Sequence, residues 1–157
     1  MSRREAVGLG IAVAACLAAG GIGSVFTVHA IPTWYATLLK PSWNPPGWVF
    51  GPVWTALYLL MGVAAWLVWR AVGWPAARRA LLLFAAQLVL NTAWSPIFFG
   101  LRSPGWALVD IVVLWAAVVA TLGAFRRIRP VAGVLLIPYL VWVTFASALN
   151  WSIWRLN

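Results

Sequence analysis

Residues 39–58 read LKPSWNPPGWVFGPVWTALY, a loop rich in proline and tryptophan that runs directly into an apolar helix. Because proline fixes φ and lacks a backbone N–H, the segment Asn44-Pro45-Pro46 is predicted to form an extended elbow, and the next helix can begin only after it. A connection with this rigidity and so many indole side chains indicates that it covers something. We therefore expect the rest of the chain to place a site beneath this loop.

The composition predicts an integral membrane protein. With 64% hydrophobic residues, 8% charged residues and a mean hydropathy of +0.94, the chain lies outside the range of soluble globular domains. The net charge of +9 does not indicate nucleic-acid binding, because the arginines lie in short loops between apolar runs, as the positive-inside bias requires. A single Cys and no Cys/His cluster give no metal site, and the sequence requires no cofactor.

The apolar runs predict an all-α fold, a bundle of five transmembrane helices that forms one domain over residues 1–157. Each run is long enough to cross the hydrocarbon, which takes roughly 20 helical residues. The predicted spans are 6–28, 48–69, 80–100, 105–125 and 131–154. Loop 29–47 is the long connection, and 71–79 is predicted to be a short basic one.

The arginines predict the orientation of these spans. Eight of the eleven basic residues fall at the N-terminus and in the second and fourth loops, and the other face keeps Lys40, Arg102 and Arg155. The positive-inside rule then places the N-terminus in the cytoplasm and loop 29–47 on the opposite side of a bacterial cell membrane.

The first predicted span carries small residues at a spacing of four, which include Gly20 with Ser24 and Ala19 with Gly23. Small residues allow neighbouring transmembrane helices to approach closely. We therefore expect another helix to pack against this span.

Three predicted spans each carry a stripe of polar and aromatic side chains on one helical face, since spacings of three and four residues return to the same face. The stripes are Trp54, Tyr58 and Met61 in span two; Gln87, Asn91, Trp94 and Phe98 in span three; and Tyr139, Trp142, Ala146 and Asn150 in span five. Two interpretations are open: interhelical packing held by Asn and Gln hydrogen bonds, or the walls of a cavity.

The depth of these residues favours a cavity. At ~1.5 Å per residue, Trp54 lies roughly 9 Å from the outer face, and Asn91 and Ala146 lie roughly 12 to 14 Å from it. The stripes therefore meet in the outer half of the bundle, beneath loop 29–47. An apolar pocket with a few polar groups under a lid is typical of a small-molecule site, and the small side chain of Ala146 would leave room in it.

Asp110 is the one acidic residue within a predicted span. It could be a proton-coupled site, as intramembrane carboxylates often are. Its position near the outer end favours an interfacial pair with Arg102 or with a donor in a loop. No nucleophile elbow, phosphate loop or pair of catalytic carboxylates occurs, so no catalytic residue is assigned.

Three segments carry a resemblance to a known family. They are WYATLLKPSWNPPGWVFGPVWTALY (34–58), QLVLNTAWSPIFFG (87–100) and PYLVWVTFASALN (138–150). Through them the chain resembles the TspO/MBR family of tryptophan-rich sensory proteins, which includes the mitochondrial translocator protein, or peripheral benzodiazepine receptor. The resemblance implies a five-helix bundle, commonly a homodimer, with a cavity under the first loop that accepts porphyrins and synthetic benzodiazepine-type or isoquinoline ligands.

The resemblance also implies which residues form the ligand site. The family's pocket positions correspond here to Tyr35, Trp54, Tyr58, Asn91, Trp94, Trp142 and Ala146, and the stripe of span five adds Asn150. Trp43, Pro45 and Pro46 would shape the lid. The sterol motif of the animal members needs a tyrosine where this chain has Trp151, so sterol binding is not predicted.

The leading hypothesis is a membrane receptor or sensor that binds tetrapyrroles such as protoporphyrin IX and regulates their level, transport or light-dependent breakdown. A flat apolar macrocycle suits an aromatic slot, and Lys40, Arg102 or Arg155 at its mouth could meet the carboxylates. Some family members are reported to degrade porphyrin in light. Trp54 and Trp142 would then be the candidates for electron transfer.

Two other functions stay open. A transporter of porphyrin or another amphipathic solute is the main alternative, although the sequence shows no inverted repeat. A structural or interaction protein that acts through a partner is the other. The expected partners are an apolar small molecule, the lipid bilayer and a second copy of the chain.

Overall fold

A computed structural model describes all 157 residues, and every regular element in it is helical. The helices are α1 (Arg3–Ala30), α2 (Trp34–Thr37), α3 (Phe50–Ser95), α4 (Pro104–Ile128), α5 (Pro130–Leu135) and α6 (Ile137–Leu156). A 3₁₀ turn, Gly47–Val49, precedes α3, and a π-helical turn, Pro96–Gly100, follows it. The prediction of an all-helical fold is confirmed.

Helix α3 is broken at Gly73. Its 46 residues are helical except for Gly73, which has φ 71° and ψ 173°. Glycine adopts this left-handed conformation without a steric penalty, and Pro75 is tolerated in the first turn of the helix that follows. The predicted connection 71–79 is therefore too long: a single residue separates the first half of α3 (residues 50–72) from the second half (residues 74–95).

The predicted span 131–154 is also divided. Leu136, with φ −87° and ψ −8°, separates α5 from α6. Pro138 lies in the first turn of α6, where its missing N–H is not needed. The sequence predicts one uninterrupted helix here, and the break at Leu136 corrects that prediction.

Four helical stretches are long and apolar enough to cross a membrane. They are Arg3–Ala30, Gly47–Gly100, Pro104–Ile128 and Pro130–Leu156. The second has 54 residues. At ~1.5 Å per residue, that length exceeds twice the ~30 Å of a hydrocarbon core, and the break at Gly73 lies near its middle.

Glycines allow α1 to lie close against the first half of α3. A Cβ on Gly62 would be 2.7 Å from Val13 Cα, and a Cβ on Gly20 would overlap the Tyr58 ring. These pairs run in opposite directions along the two helices, so the helices are antiparallel. The expected close approach of another helix at the small residues of α1 is confirmed at Gly20.

Polar contacts join the far ends of the same two helices. The Ser2 hydroxyl accepts from Glu5 N–H, and the Glu5 carboxylate accepts from Ser2 N–H, which forms a capping box at the start of α1. Glu5 Oε1 also accepts from Arg70 Nε at 2.7 Å, and Glu5 O accepts from Trp66 Nε1 at 2.9 Å. The two helices are thereby fixed at the end opposite the proline-rich loop.

The second half of α3 packs against α4 and α6. Phe84 stacks on Phe125 of α4 with ring centroids 5.6 Å apart. Tyr139 of α6 is buried against the second half of α3, and Met61 and Val143 complete the same core. This packing sets the polar faces of both halves of α3 and of α6 towards one another at the end of the bundle that carries the proline-rich loop.

Candidate ligand-binding site

A cavity of about 530 Å³ lies at the end of the bundle that carries the proline-rich loop. Its walls come from α1, both halves of α3, α4 and α6, and Tyr35 of α2 reaches it from the loop. None of the 28 residues that line it is charged. A neutral, largely apolar cavity of this size accepts a small hydrophobic molecule that makes few polar contacts, since such sites span about 300–1,000 Å³.

All eight ligand-site residues named from the sequence line this cavity. They are Tyr35, Trp54, Tyr58, Asn91, Trp94, Trp142, Ala146 and Asn150. They belong to α2, the two halves of α3 and α6, which the fold brings together at one end of the bundle. Seven of them lie on the three polar and aromatic stripes, and Tyr35 was named from the family resemblance alone.

Aromatic rings form the wall beside the start of α3. Trp54 stacks on Tyr58 with centroids 5.6 Å apart and planes at 28°. Trp142 packs edge-on against Phe50, at 6.0 Å and 69°. Ala146 lies one helical turn beyond Trp142, and its methyl group leaves the space that a larger side chain would fill.

A chain of hydrogen bonds runs from the cavity wall into the core. Tyr58 Oη donates to Asn91 Oδ1 at 2.5 Å, and Asn91 Nδ2 donates to Tyr139 Oη at 3.1 Å. Tyr139 Oη in turn donates to Gln87 Oε1 at 2.7 Å. Tyr58 and Asn91 line the cavity, whereas Tyr139 and Gln87 lie behind it. Both interpretations of the stripes therefore hold, each for different residues.

Removing the central hydroxyl of this chain should destabilise the fold. In Tyr139→Phe, Asn91 Nδ2 and Gln87 Oε1 each lose a buried partner, and a buried unpaired polar group costs about 1–3 kcal/mol. We expect the free energy of unfolding in detergent to fall by about 2–4 kcal/mol. Tyr35→Phe, which removes one loop hydrogen bond, is the matched control and should change it by less than about 1.5 kcal/mol. Equal losses in the two variants would contradict a special role for Tyr139.

A second set of hydrogen bonds holds Trp94 and Asn150 in the wall. Trp94 Nε1 donates to Asn150 Oδ1 at 3.0 Å, and Asn150 Nδ2 donates to Pro104 O at 2.8 Å. The indole N–H of Trp142 is buried and has no partner in the protein. An acceptor atom of a bound molecule would satisfy this donor, which otherwise stays costly to bury.

The loop above the cavity is fixed by hydrogen bonds within itself. Tyr35 Oη donates to Asn44 Oδ1 at 2.9 Å, and burial raises the pKa of Tyr35 to about 12, so the hydroxyl keeps its proton at neutral pH. Lys40 Nζ donates to Tyr35 O at 2.7 Å and to Leu38 O at 2.8 Å. These contacts hold the short helix α2 and the elbow together.

A further contact anchors the loop to the end of α6. Leu39 N–H donates to Asn157 Oδ1, and Asn157 Nδ2 donates to Leu39 O, each at 3.0 Å. One carboxamide thus satisfies both backbone groups of Leu39. The loop is consequently held from within and from the far end of the chain.

The residues named for the lid border the cavity without lining it. Trp43 packs edge-on against Phe145 of α6 at 5.7 Å. Pro46 has φ −56° and ψ 141°, and the 3₁₀ turn and α3 begin directly after it, so the extended elbow predicted over Asn44-Pro45-Pro46 is confirmed at Pro46. Gly47 and Trp48, which follow the elbow, are the residues that line the cavity.

The charged residues lie elsewhere than the sequence suggested. Lys40, Arg102 and Arg155 do not line the cavity, so none of them meets a carboxylate inside it. Lys40 Nζ is bound to loop carbonyls, and Arg155 lies over the Trp151 ring. The predicted pair of Asp110 with Arg102 does not form, and Asp110 Oδ2 has no hydrogen-bond partner.

Helix α1 supplies a wall that was not named from the sequence. Gly20, Gly21, Ser24 and Thr27 line the cavity, although the sequence predicts only helix packing at Gly20 and Ser24. A Cβ on Gly21, or on Gly51 of α3, would meet no atom within 4 Å. The cavity is therefore open between α1 and the start of α3.

Comparison with known proteins agrees with the resemblance seen in the sequence. The TspO/MBR family model matches residues 12–155. The tryptophan-rich protein TspO of Chlorobaculum tepidum is 47% identical over 156 residues, 98% of each chain. The translocator protein of Homo sapiens is 47% identical over 138 residues, 87% of this chain and 82% of its own. The tryptophan-rich sensory protein of Cereibacter sphaeroides is 48% identical over 124 residues, 79% and 77% of the two chains. The chain therefore belongs to the TspO/MBR family.

Proposed function

We propose that this protein is an integral membrane receptor or sensor that binds a tetrapyrrole of the protoporphyrin IX type in the cavity beneath the proline-rich loop. Membership of the TspO/MBR family supports the receptor or sensor role. The single observation that carries the choice of ligand is the neutral, aromatic-walled cavity of about 530 Å³. Regulation of porphyrin level, transport or light-dependent breakdown is part of the same proposal.

The chemistry of the cavity supports a flat apolar macrocycle. Indole and phenol rings of Trp54, Tyr58 and Trp142 offer surfaces on which such a ring can stack. No cation lines the cavity, so the ring would enter while its carboxylates stay at the opening between α1 and α3. The unpaired Trp142 N–H supplies one donor for a polar atom of the ring system.

The proposed topology has five membrane crossings. The break at Gly73 divides the 54-residue stretch into two spans, which together with the other three stretches gives five. Eight of the eleven basic residues then lie on the side of the N-terminus, which supports a cytoplasmic N-terminus in a bacterial cell membrane. The loop and its cavity face the opposite side.

Titration in the dark tests binding. Purified protein in detergent should show saturable quenching of tryptophan fluorescence by protoporphyrin IX, because Trp54, Trp94 and Trp142 line the cavity. We expect one site per chain and a dissociation constant in the micromolar range or below, about −8 kcal/mol or better. Quenching that stays linear with concentration would show mere partitioning into the micelle and would contradict the proposal.

Illumination of the same complex tests photochemistry separately. If Trp142 donates an electron to the excited ring, Trp142→Phe should slow the loss of protoporphyrin absorbance about tenfold or more, which corresponds to about 1.4 kcal/mol. Trp106→Phe is the matched control, since Trp106 lies outside the cavity on α4. Equal rates in the two variants would show that Trp142 is not the electron donor. The conclusion from the dark titration about binding would stay the same.

A further inference from the structure

A second groove lies on the other side of α2 from the ligand cavity. Its volume is about 670 Å³, and it shares no lining residue with that cavity. Tyr35 lines the cavity, whereas its neighbour Trp34 lines the groove. The start of α4 and the end of α6 form the other walls, through Trp106, Val109 and Trp154.

The groove contains one cationic side chain and no acidic side chain. Arg102 lines it and takes part in no ion pair and no side-chain hydrogen bond, and no Asp or Glu is among the lining residues. Arg102 has φ 51°, a left-handed conformation that is uncommon for a residue other than glycine and is often found at functional sites. The groove therefore has a positive charge that no Asp or Glu side chain in its lining neutralises.

The first turn of α4 adds donors to the same groove. Gly105 and Trp106 both line it, and neither of their backbone N–H groups has an acceptor in the protein. The Ser103 side chain does not cap the helix. Together with the Arg102 guanidinium, these groups match the acceptor oxygens of an anion.

The indole rings place the groove at the level of a membrane interface. Trp106 is 71% exposed and Trp154 is 48% exposed, on neighbouring helices, as expected for an aromatic belt. Val109, which lies on the hydrocarbon side of Trp106 along α4, is also exposed and apolar. The groove thus has a cationic, hydrogen-bonding end and an apolar end. These two ends correspond to the headgroup and the acyl chain of a lipid.

We propose that this groove binds an anionic phospholipid, with the headgroup phosphate at Arg102 and an acyl chain against Val109. The unpaired Arg102 favours an anionic headgroup, and the exposed indoles and Val109 favour a lipid over a soluble anion. This inference rests on the proposed membrane-spanning topology, but it does not depend on the porphyrin ligand. Trp34 and Leu38 of the loop also line the groove. A bound lipid would therefore contact the loop on the side that faces away from the ligand cavity and would stabilise its position.

Native mass spectrometry can count lipids on the detergent-solubilised full chain, offered phosphatidylglycerol or phosphatidylcholine at equal concentrations. The natural sequence should prefer phosphatidylglycerol, and Arg102→Gln should reduce that preference about tenfold, as expected for the loss of one charge-assisted contact. Arg102→Lys should retain most of the preference for phosphatidylglycerol, because it keeps the positive charge. A loss in Arg102→Gln would then be due to the charge and not to replacing the residue at this left-handed backbone position. Arg155→Gln, the same charge change outside the groove, should alter the preference by less than about twofold.

Several outcomes would overturn the proposal. They are an unchanged preference in Arg102→Gln, an equal loss in Arg155→Gln, or full displacement of phosphatidylglycerol by millimolar inorganic phosphate. The protoporphyrin titration, run on each variant, should give unchanged affinity and so report that the bundle is folded. If the natural sequence binds no porphyrin but keeps the lipid preference that depends on Arg102, the receptor proposal fails and the lipid site stands.

Discussion

Replacing Ala146 with Phe is expected to abolish protoporphyrin binding while the protein stays folded. Ala146 lies in the cavity wall one turn beyond Trp142, and a phenyl ring there would project into the space that the ligand needs. Overpacking typically costs about 1–3 kcal/mol, and the ligand must also lose its stacking contacts, so we expect affinity to fall about 100-fold or more. The measurement is the dissociation constant from tryptophan quenching in the dark.

The matched control is Ala148→Phe on the same helix. Ala148 is exposed and does not line the cavity, so the same change in volume falls outside the proposed site. Its affinity should stay within about threefold of the natural sequence, or about 0.7 kcal/mol. If Ala146→Phe also stayed in that range, the cavity would not be the porphyrin site.

Replacing Gly62 with Leu is expected to cause the largest loss of stability. A Cβ at this position would lie 2.7 Å from Val13 Cα and 3.0 Å from Val13 N, and these are backbone atoms that cannot rotate away. The two helices would have to separate along the face on which α1 and α3 pack. We expect the free energy of unfolding to fall by about 3 kcal/mol or more, with aggregation on size exclusion.

Gly10→Leu is the control for this substitution. Gly10 lies on α1, and a Cβ there would meet no atom within 4 Å. Leucine has a better helix propensity than glycine by up to about 1 kcal/mol, so this variant should be as stable as the natural sequence or slightly more stable. Gly62→Ala should fall between the two. A Gly62→Leu protein that melts like Gly10→Leu would contradict the close approach of α1 and α3.

The sequence predicted the helices well because each apolar run is long and bounded by arginine, proline or glycine. The predicted connection 71–79 was too long. One glycine in a left-handed conformation, Gly73, changes the direction of the chain, and the arginines beside it are helical. Leu136 carries no sequence signal of its own, and its break depends on the start of α6 at Ile137 and Pro138. Local conformation of this kind depends on packing that a hydropathy pattern does not contain.

The cavity residues on the three stripes were predictable in part, because helical spacing and depth specify a face and a level, whereas Tyr35 was named only from the family resemblance. The partners of long charged side chains were not predictable in this way. Lys40 turns back onto the carbonyls of its own loop, and Arg102 faces a groove formed by three separate elements. The contribution of α1 was missed because a glycine that permits close packing and a glycine that leaves open space are identical in sequence.

The contact between Leu39 and Asn157 can form only late in the synthesis of the protein. The two residues are 118 positions apart, so the covering loop is synthesised well before its anchor exists. At about 5–20 residues per second, that delay is roughly ten seconds. Until the end of this period the nascent chain also lacks the wall that α6 supplies, and it cannot secure the loop above the cavity. The position of the loop over the cavity is therefore fixed by Asn157 only after the rest of the bundle has been synthesised.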